Sequence, residues 1–106
     1  MAIFPVQISA TGKVITNLRR NLSKTANDEA QWTSSGNTGP WTVVFPPTDS
    51  VYNGSPFGSA SSFTVPQNGN VKSGVPTVAS GNTIYKYKVF DSGGNMTDDP
   101  DILVDP

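Results

Sequence analysis

The sequence predicts an all-β protein, a single antiparallel β-sandwich of about seven to nine strands. Three observations support this prediction. The 106 residues are rich in Gly, Pro, Ser, Thr and Asn, which favour turns over helices. Several segments alternate apolar and polar residues, as strands with one buried face do. These segments recur at a spacing of about 8–12 residues with no linker between them, so residues 1–106 are expected to form one domain.

The first quarter of the chain contains one clear strand and one ambiguous stretch. Ile3–Ser9 is apolar and is predicted to be a strand, in which Pro5 favours a sheet edge. Lys13–Thr16 follows a Thr-Gly turn and is the expected hairpin partner. Leu18 and Leu22 are spaced as in one turn of a helix, but the stretch around them also fits a strand.

Three further strands are predicted in the middle of the chain. Glu29–Thr33 carries a tryptophan, and Trp41–Phe45 places alternate apolar side chains on one face. A long turn-rich loop, Thr48–Ser59, separates these strands from the next one, Ser61–Val65. The Asn-Gly pair at 68–69 then predicts a tight hairpin turn of type I′.

The last third of the chain contains the most regular strand pattern. One or two weak strands are expected within 71–79, and Thr83–Phe90 then alternates Tyr and Val with Lys. Asp91–Asn95 is predicted to be a hairpin loop, and Ile102–Val104 the final strand. The predicted core comprises Trp32, Trp41, Val43, Phe45, Phe63, Val65, Tyr85, Tyr87, Val89 and Ile102.

The composition excludes most kinds of active site, because the chain contains neither histidine nor cysteine. It therefore has no imidazole base, no thiolate and no disulfide. Nitrogen and sulfur ligands for zinc, copper or an iron–sulfur cluster are missing as well. We expect a protein that is not an enzyme and needs no cofactor.

The charges are few and unevenly placed. A net charge of −1 predicts no general attraction to nucleic acid or to an anionic membrane, and the Arg19-Arg20 pair is too small a cluster to change this. Basic residues dominate the first 24 positions, whereas five of the eight acidic residues lie in the last sixteen. These two regions either attract each other within the fold or align copies head to tail.

The sequence contains no targeting or membrane-spanning pattern. No apolar run is long enough to cross a membrane, so no membrane insertion is expected. The first residues have no basic region before a short apolar stretch that Pro5 interrupts, which is unlike a signal peptide. The expected location is therefore the cytoplasm, unless the chain is a mature or excised form.

The aromatic and acidic residues carry a family resemblance. Trp32, Trp41–Phe45, Ser55–Phe57, Tyr85–Tyr87 and Asp99–Ile102 together resemble small bacterial proteins of unknown function with a cupredoxin-like sandwich. The stretch 81–95 also resembles the penultimate strand and turn of bacterial immunoglobulin-like sandwiches. The resemblance covers about residues 28–105 and implies a Greek-key sandwich. Cupredoxins hold copper with two His, a Cys and usually a Met, so the resemblance does not extend to copper binding here.

Asp91 is the centre of one catalytic hypothesis. Val89–Gly93 looks like the signature of aspartic proteases, in which two apolar residues precede Asp-Ser/Thr-Gly and two chains pair their aspartates. That family carries the signature near its start, whereas few residues follow Asp91. Asp, Ser and Gly also form ordinary turns, which is the favoured interpretation. An aspartate-dependent hydrolase is thus the third and most distant hypothesis.

Two groups of residues are candidates for binding. Hard cations prefer carboxylate and amide oxygens, and the candidates for a calcium site are Asp91, Asn95, Asp98, Asp99 and Asp101, although no EF-hand spacing is present. Tyr52 and Phe57 lie in the long loop and are the expected surface aromatics, for a sugar or a protein. With Arg19 and Arg20, they are the predicted interaction residues.

The leading functional hypothesis is a non-enzymatic structural or interaction module. Low charge and small polar side chains suit packing against a protein partner or another copy of the chain, so self-assembly is one form of this role. A module that binds carbohydrate or Ca²⁺ is the alternative.

Overall fold

The computed structural model describes residues 2–15, 21–45, 54–58, 60–77 and 83–105, and every regular element among them is a β-strand. The all-β prediction is confirmed. The strands are β1 (Ile3–Ile8), β2 (Asn21–Ser23), β3 (Glu29–Ser34), β4 (Trp41–Val44), β5 (Ser62–Val65), β6 (Asn70–Lys72), β7 (Thr83–Lys86), β8 (Lys88–Phe90), β9 (Met96–Asp98) and β10 (Asp101–Asp105). Within this part of the chain there is no helix that has the length and hydropathy to cross a membrane.

The first sheet has the strand order β1-β3-β6. β1 runs parallel to β3, with Val6 opposite Trp32, and β6 is antiparallel to β3. An isolated bridge joins Ile8 to Val14, where a hairpin partner of β1 was predicted. Pro5 fits β1 because this strand lies at the sheet edge.

The other two sheets have the orders β2-β10-β7 and β5-β4-β8-β9. The β7–β10 ladder of one sheet continues into the β8–β9 ladder of the other. Lys86 lies opposite Asp101 and Val89 lies opposite Asp98, so the pairing advances by three residues on both strands without a shift. Between them, the Tyr87 N–H donates to the carbonyl of Pro100 at 3.0 Å. Pro100 has no N–H to complete the pair, which interrupts the strands at this position.

The strands were expected to be mostly antiparallel, and most pairs are, but two pairs are parallel. β1 pairs with β3, and β2 pairs with β10, in parallel. The alternation of side chains has a period of two in either orientation, so the sequence pattern does not distinguish them.

The core contains side chains from strands of all three sheets and is aromatic at its centre. Nearly all of the predicted core residues are buried, and Phe63 is partly buried against them. Trp32 is fully buried and contacts the rings of Phe45, Phe57 and Tyr87 at centroid distances of 6.2, 6.5 and 5.6 Å. The prediction left out Val6, Ile8, Val14, Leu22, Ala30, Phe57 and Val104, which are also buried.

Two local predictions are wrong. Phe57 was expected at the surface because it lies in a turn-rich loop, but it is only 6% exposed and packs edge-to-face on Phe45 at 5.5 Å. The Asn-Gly pair does not form a type I′ hairpin, which needs positive φ at both residues. Asn68 has φ of +56° but Gly69 is not in the positive region, and the Gly69 N–H donates to Pro66 O. This turn carries the chain from β5 in one sheet to β6 in another.

Candidate functional site

Asp91 begins the turn between β8 and β9 and organises it. Its Oδ1 accepts hydrogen bonds from the backbone N–H groups of Gly93 and Asn95, both at 2.9 Å. The Asn95 side-chain amide lies 3.4 Å from both carboxylate oxygens. These donors, above all the Asn95 backbone N–H, lower the pKa of Asp91 below its ordinary value. The hairpin interpretation of this segment is confirmed, and Asp91 has a structural role in it.

Asp98 joins β9 to the segment after β1. Its Oδ2 accepts a hydrogen bond from Val14 N at 2.8 Å, and its Oδ1 accepts one from Asp99 N at 2.9 Å. Asp99 lies 3.6 Å from the Lys86 ammonium, which also donates to the Asp99 carbonyl at 3.1 Å. The carboxylates of Asp98 and Asp99 are therefore engaged with the protein.

The calcium candidates do not form a cluster. Asp91 and Asn95 lie in the hairpin turn, Asp98 at the end of β9, and Asp99 and Asp101 around the start of β10. No three acidic side chains among the described residues lie close enough to share a metal ion. The carboxylates of Asp91 and Asp98 accept hydrogen bonds from backbone N–H groups instead.

The basic front and acidic tail of the chain lie against each other within one molecule. Val14 N bonds Asp98, and the hydroxyl of Thr97 donates to the carbonyl of Gly12 at 2.9 Å. β2 pairs with β10 further along the same two segments. These contacts bring the front and tail segments together within one chain through backbone groups and the side chains of Asp98 and Thr97.

The tryptophan and tyrosine side chains of the described residues lie in the core. Trp32, Trp41, Tyr85 and Tyr87 are at most 6% exposed and present no open ring face to a sugar. Tyr52, Arg19 and Arg20 lie outside the described residues.

Two shallow clefts are polar and open. One has a volume of about 230 Å³ and is lined by Thr33, Ser34, Gly36, Asn68, Gly69 and Asn70. The other, of about 190 Å³, is lined by Ala10, Thr38, Gly39, Pro40, Trp41, Asp91 and Ser92. The first offers hydroxyls and amides without an aromatic face, and the second offers a single carboxylate that already accepts backbone hydrogen bonds.

Several strand edges are covered by neighbouring segments. The outer side of β1 accepts a hydrogen bond from Ile15 N at Gln7 O, at 3.0 Å. β2 exchanges hydrogen bonds with Asp28, whose Oδ2 accepts from Ser23 N at 3.0 Å and whose N–H donates to Ser23 O at 3.1 Å. β9 is covered by residues 12–14, as described above. Such cover prevents an edge strand from pairing with other chains.

At the edge of β5, the described part of the chain provides no such cover. Phe45 N donates to Ser61 O at 2.8 Å, which fixes the phase of the ladder with β4. Because backbone groups alternate in direction along a strand, the N–H and C=O groups of Ser62 and Thr64 point away from β4. Among the described residues none pairs with them, since β5 ends its sheet.

The sequence around β5 lacks the charged residues that commonly protect an edge strand from pairing. No charged residue occurs between Asp49 and Lys72. Ser62 and Thr64 are exposed, and a proline follows only after the strand has ended. The neighbouring edge of β6, by contrast, carries Lys72 on an exposed position. Charged side chains on edge strands discourage pairing, so β5 is the more receptive of the two edges.

Phe63 extends the aromatic core to this edge. Its ring contacts Trp32, Phe57 and Phe45 at centroid distances of 5.3, 5.8 and 6.4 Å. Unlike those three rings, it is only partly buried, and so is Val71 on β6. The core is therefore incompletely covered on the side where β5 and β6 lie.

Comparison of the chain with protein-family models gave no match, and comparison with curated proteins and with solved structures gave none either.

One feature of the sequence indicates the edge of β5, although it belongs to no motif. The uncharged stretch before Lys72 includes a predicted strand, and edge strands are usually marked by charge or proline. Whether a strand is central or at an edge depends on the strand order, which the pattern of a single strand does not contain.

Proposed function

We propose that this chain is a non-enzymatic protein-interaction module that binds an extended segment of a protein along β5. The observation that carries the proposal is the uncovered edge of β5, with its outward backbone groups at Ser62 and Thr64. Addition of a strand to an exposed sheet edge is a common mode of peptide recognition.

The binding chemistry follows from the geometry of a β-ladder. The two N–H and two C=O groups of Ser62 and Thr64 would exchange hydrogen bonds with an incoming strand. Each of these hydrogen bonds contributes about 0.5–1.5 kcal/mol net to the free energy of binding, because bonds to water are given up on both partners. On one face of the strand the partner would meet the small hydroxyl side chains of Ser62 and Thr64, and on the other the partly buried Phe63. An uncharged segment with an apolar residue opposite Phe63 fits best.

We also propose that the three sheets form one two-layer sandwich. β7 and β8 follow each other along one line, and so do β9 and β10, with the same pairing offset in both sheets. Joining the two sheets at this point gives one layer in which β5, β4, β7–β8, β9–β10 and β2 lie side by side. β1-β3-β6 would be the second layer, with the aromatic core between them.

Binding of peptides to a proline variant tests the proposed site. A panel of labelled peptides with alternating apolar and polar residues, including the chain's own segment 60–67, would be titrated with protein and followed by fluorescence anisotropy. Thr64→Pro removes one outward N–H without disturbing the bonds to β4. We expect it to weaken binding at least about tenfold, the loss of roughly one to two hydrogen bonds.

The matched control is Thr64→Val, which keeps the N–H and suits a strand. It should retain most of the binding that Thr64→Pro loses. Failure of every peptide to bind, or equal binding by Thr64→Pro, would contradict the proposed site.

A further inference from the structure

We infer that the partner of β5 is a second copy of this chain, paired through β5 around a two-fold axis. This inference rests on the proposed function, because it uses the same uncovered edge. It adds the identity of the partner and the register of the contact. Three features of the described residues support it: the hydrogen-bonding phase of β5, the position of Phe63 and the lack of charge.

The hydrogen-bonding phase makes the edge complementary to itself. If two β5 strands lie antiparallel, Ser62 of each copy faces Thr64 of the other, and both positions have outward backbone groups. Each facing pair then exchanges two hydrogen bonds, so every outward N–H and C=O of the two residues gains a partner. A two-fold interface of this kind uses the same surface on both copies and closes without forming a filament.

Phe63 lies at the axis of this arrangement. The register places Phe63 of one copy opposite Phe63 of the other in a pair without hydrogen bonds, where side chains approach most closely. The exposed part of each ring would be covered by the other. The contact would complete the burial of the one ring in the Trp32, Phe45, Phe57 and Phe63 cluster that the single chain leaves partly open.

Electrostatics do not oppose the pairing. The segment between Asp49 and Lys72 has no charge, so two copies approach at β5 without like-charge repulsion. Association through this edge should therefore be insensitive to salt. Head-to-tail pairing of the basic front with the acidic tail, in contrast, would weaken as salt is added.

The contact is small, because β5 has four residues. Stable interfaces bury about 1,200–2,000 Å² in total, and smaller ones are transient. We expect a dissociation constant between about 0.1 and 1 mM, so the dimer forms only in concentrated solution.

Sedimentation equilibrium across a concentration series tests the inference. The unchanged protein should show a monomer–dimer equilibrium, equal at low and high salt. Thr64→Pro and Ser62→Pro should weaken dimerisation at least about tenfold. Asn70→Pro removes an outward N–H from the edge of β6 and should leave dimerisation unchanged, which controls for position. Near-ultraviolet circular dichroism verifies that each variant is folded.

Mixed oxidation of two cysteine variants tests the register. The chain has no cysteine of its own, so Ser62→Cys and Thr64→Cys each introduce a single thiol. Facing Cβ atoms in a ladder are about 4.5–5.5 Å apart and diagonal ones about 7–8 Å. A mixture should therefore form the mixed disulfide at least several-fold more than either symmetric one, as measured by mass spectrometry.

The outcomes separate the inference from the proposed function. A protein that stays monomeric up to about 1 mM, or that dimerises equally as Thr64→Pro, would overturn pairing through β5. If peptides still bind the unchanged protein and fail to bind Thr64→Pro, the interaction site stands and only the identity of the partner is wrong. Excess of a symmetric disulfide would overturn the proposed register.

Discussion

Gly12 shows how one residue fixes the packing of two segments. It has φ of +83°, and a Cβ built on it would lie 2.5 Å from the Cβ of Thr97. Thr97 in turn donates its hydroxyl hydrogen bond to the Gly12 carbonyl. Only glycine satisfies both the backbone conformation and the close approach to β9.

Substitution of Gly12 by alanine should therefore be costly. Positive φ costs alanine about 1–2 kcal/mol, and overpacking adds about 1–3 kcal/mol. We expect Gly12→Ala to lower the free energy of unfolding by about 3 kcal/mol, measured by denaturant titration. Gly94 has the same φ of +83° but nothing within 4 Å of its Cβ position, so Gly94→Ala should lose only about 1 kcal/mol. Equal losses would show that the contact with Thr97 is unimportant.

Asp91 should contribute to stability in a pH-dependent way. Its pKa is lowered from 3.8 in the folded protein, mainly by the Asn95 backbone N–H, so its stabilising effect is present above the unfolded pKa. That effect is lost as the pH falls through the lower, folded pKa. The stability difference between the unchanged protein and Asp91→Asn should be constant near neutral pH and shrink below about pH 4, measured by denaturant titration at each pH.

The comparison needs a control for net charge. Glu29→Gln removes the same charge from β3, outside the turn that Asp91 organises. It identifies any effect of acidification that comes from net charge alone. A difference for Asp91→Asn that grows as the solution is acidified would contradict the role assigned to its hydrogen bonds.

At the scale of elements, the cover of β9 depends on Asp98. This carboxylate accepts the N–H of Val14, a residue that is 5% exposed and belongs to the core. Asp98→Ala would leave that N–H without its acceptor, and we expect a loss of about 1–3 kcal/mol in the free energy of unfolding. Asp98→Asn keeps an accepting oxygen and should lose less, as thermal or chemical unfolding would show. Equal losses in the two variants would mean that the hydrogen bond to Val14 contributes little.

A strand could be predicted where its own sequence pattern determines which side chains are buried, and not where partners distant in the sequence do. The alternation in 83–90 predicted buried Tyr85, Tyr87 and Val89 correctly, because the burial of one sheet face determines that pattern. β9 was missed because Met96–Asp98 has no alternation and is a strand only through its partner β8. The burial of Phe57 was missed for a related reason, since the rings that bury it come from distant strands.

At the scale of the whole molecule, composition predicted the all-β fold class, whereas strand order required the structure. The period of two is the same for parallel and antiparallel pairs, so neither β1–β3 nor β2–β10 was foreseeable. The same limit applied to the candidate site. Ser61–Val65 was a predicted strand, but its position at an uncovered edge depends on where β4 and β8 lie.

The strand edges in the described part of the chain differ in whether a neighbouring segment covers them. Val14, Ile15 and Asp28 make hydrogen bonds with residues of β9, β1 and β2, whereas no described residue pairs with the outward backbone groups of β5. The front and tail segments of the chain contact each other through the Asp98 side chain and the β2–β10 pair. We therefore place the proposed partner at the edge of β5.

The most direct test of this account is the concentration dependence of the backbone amide chemical shifts, followed by nuclear magnetic resonance. Spectra would be recorded from about 20 μM to 1 mM, and repeated with the best-binding peptide at the lower concentration. The account predicts that the largest shifts occur at Ser62, Phe63 and Thr64, and that Thr64→Pro abolishes them. Shifts that concentrate elsewhere in both experiments, or persist in Thr64→Pro, would contradict the assignment of β5 as the interaction edge.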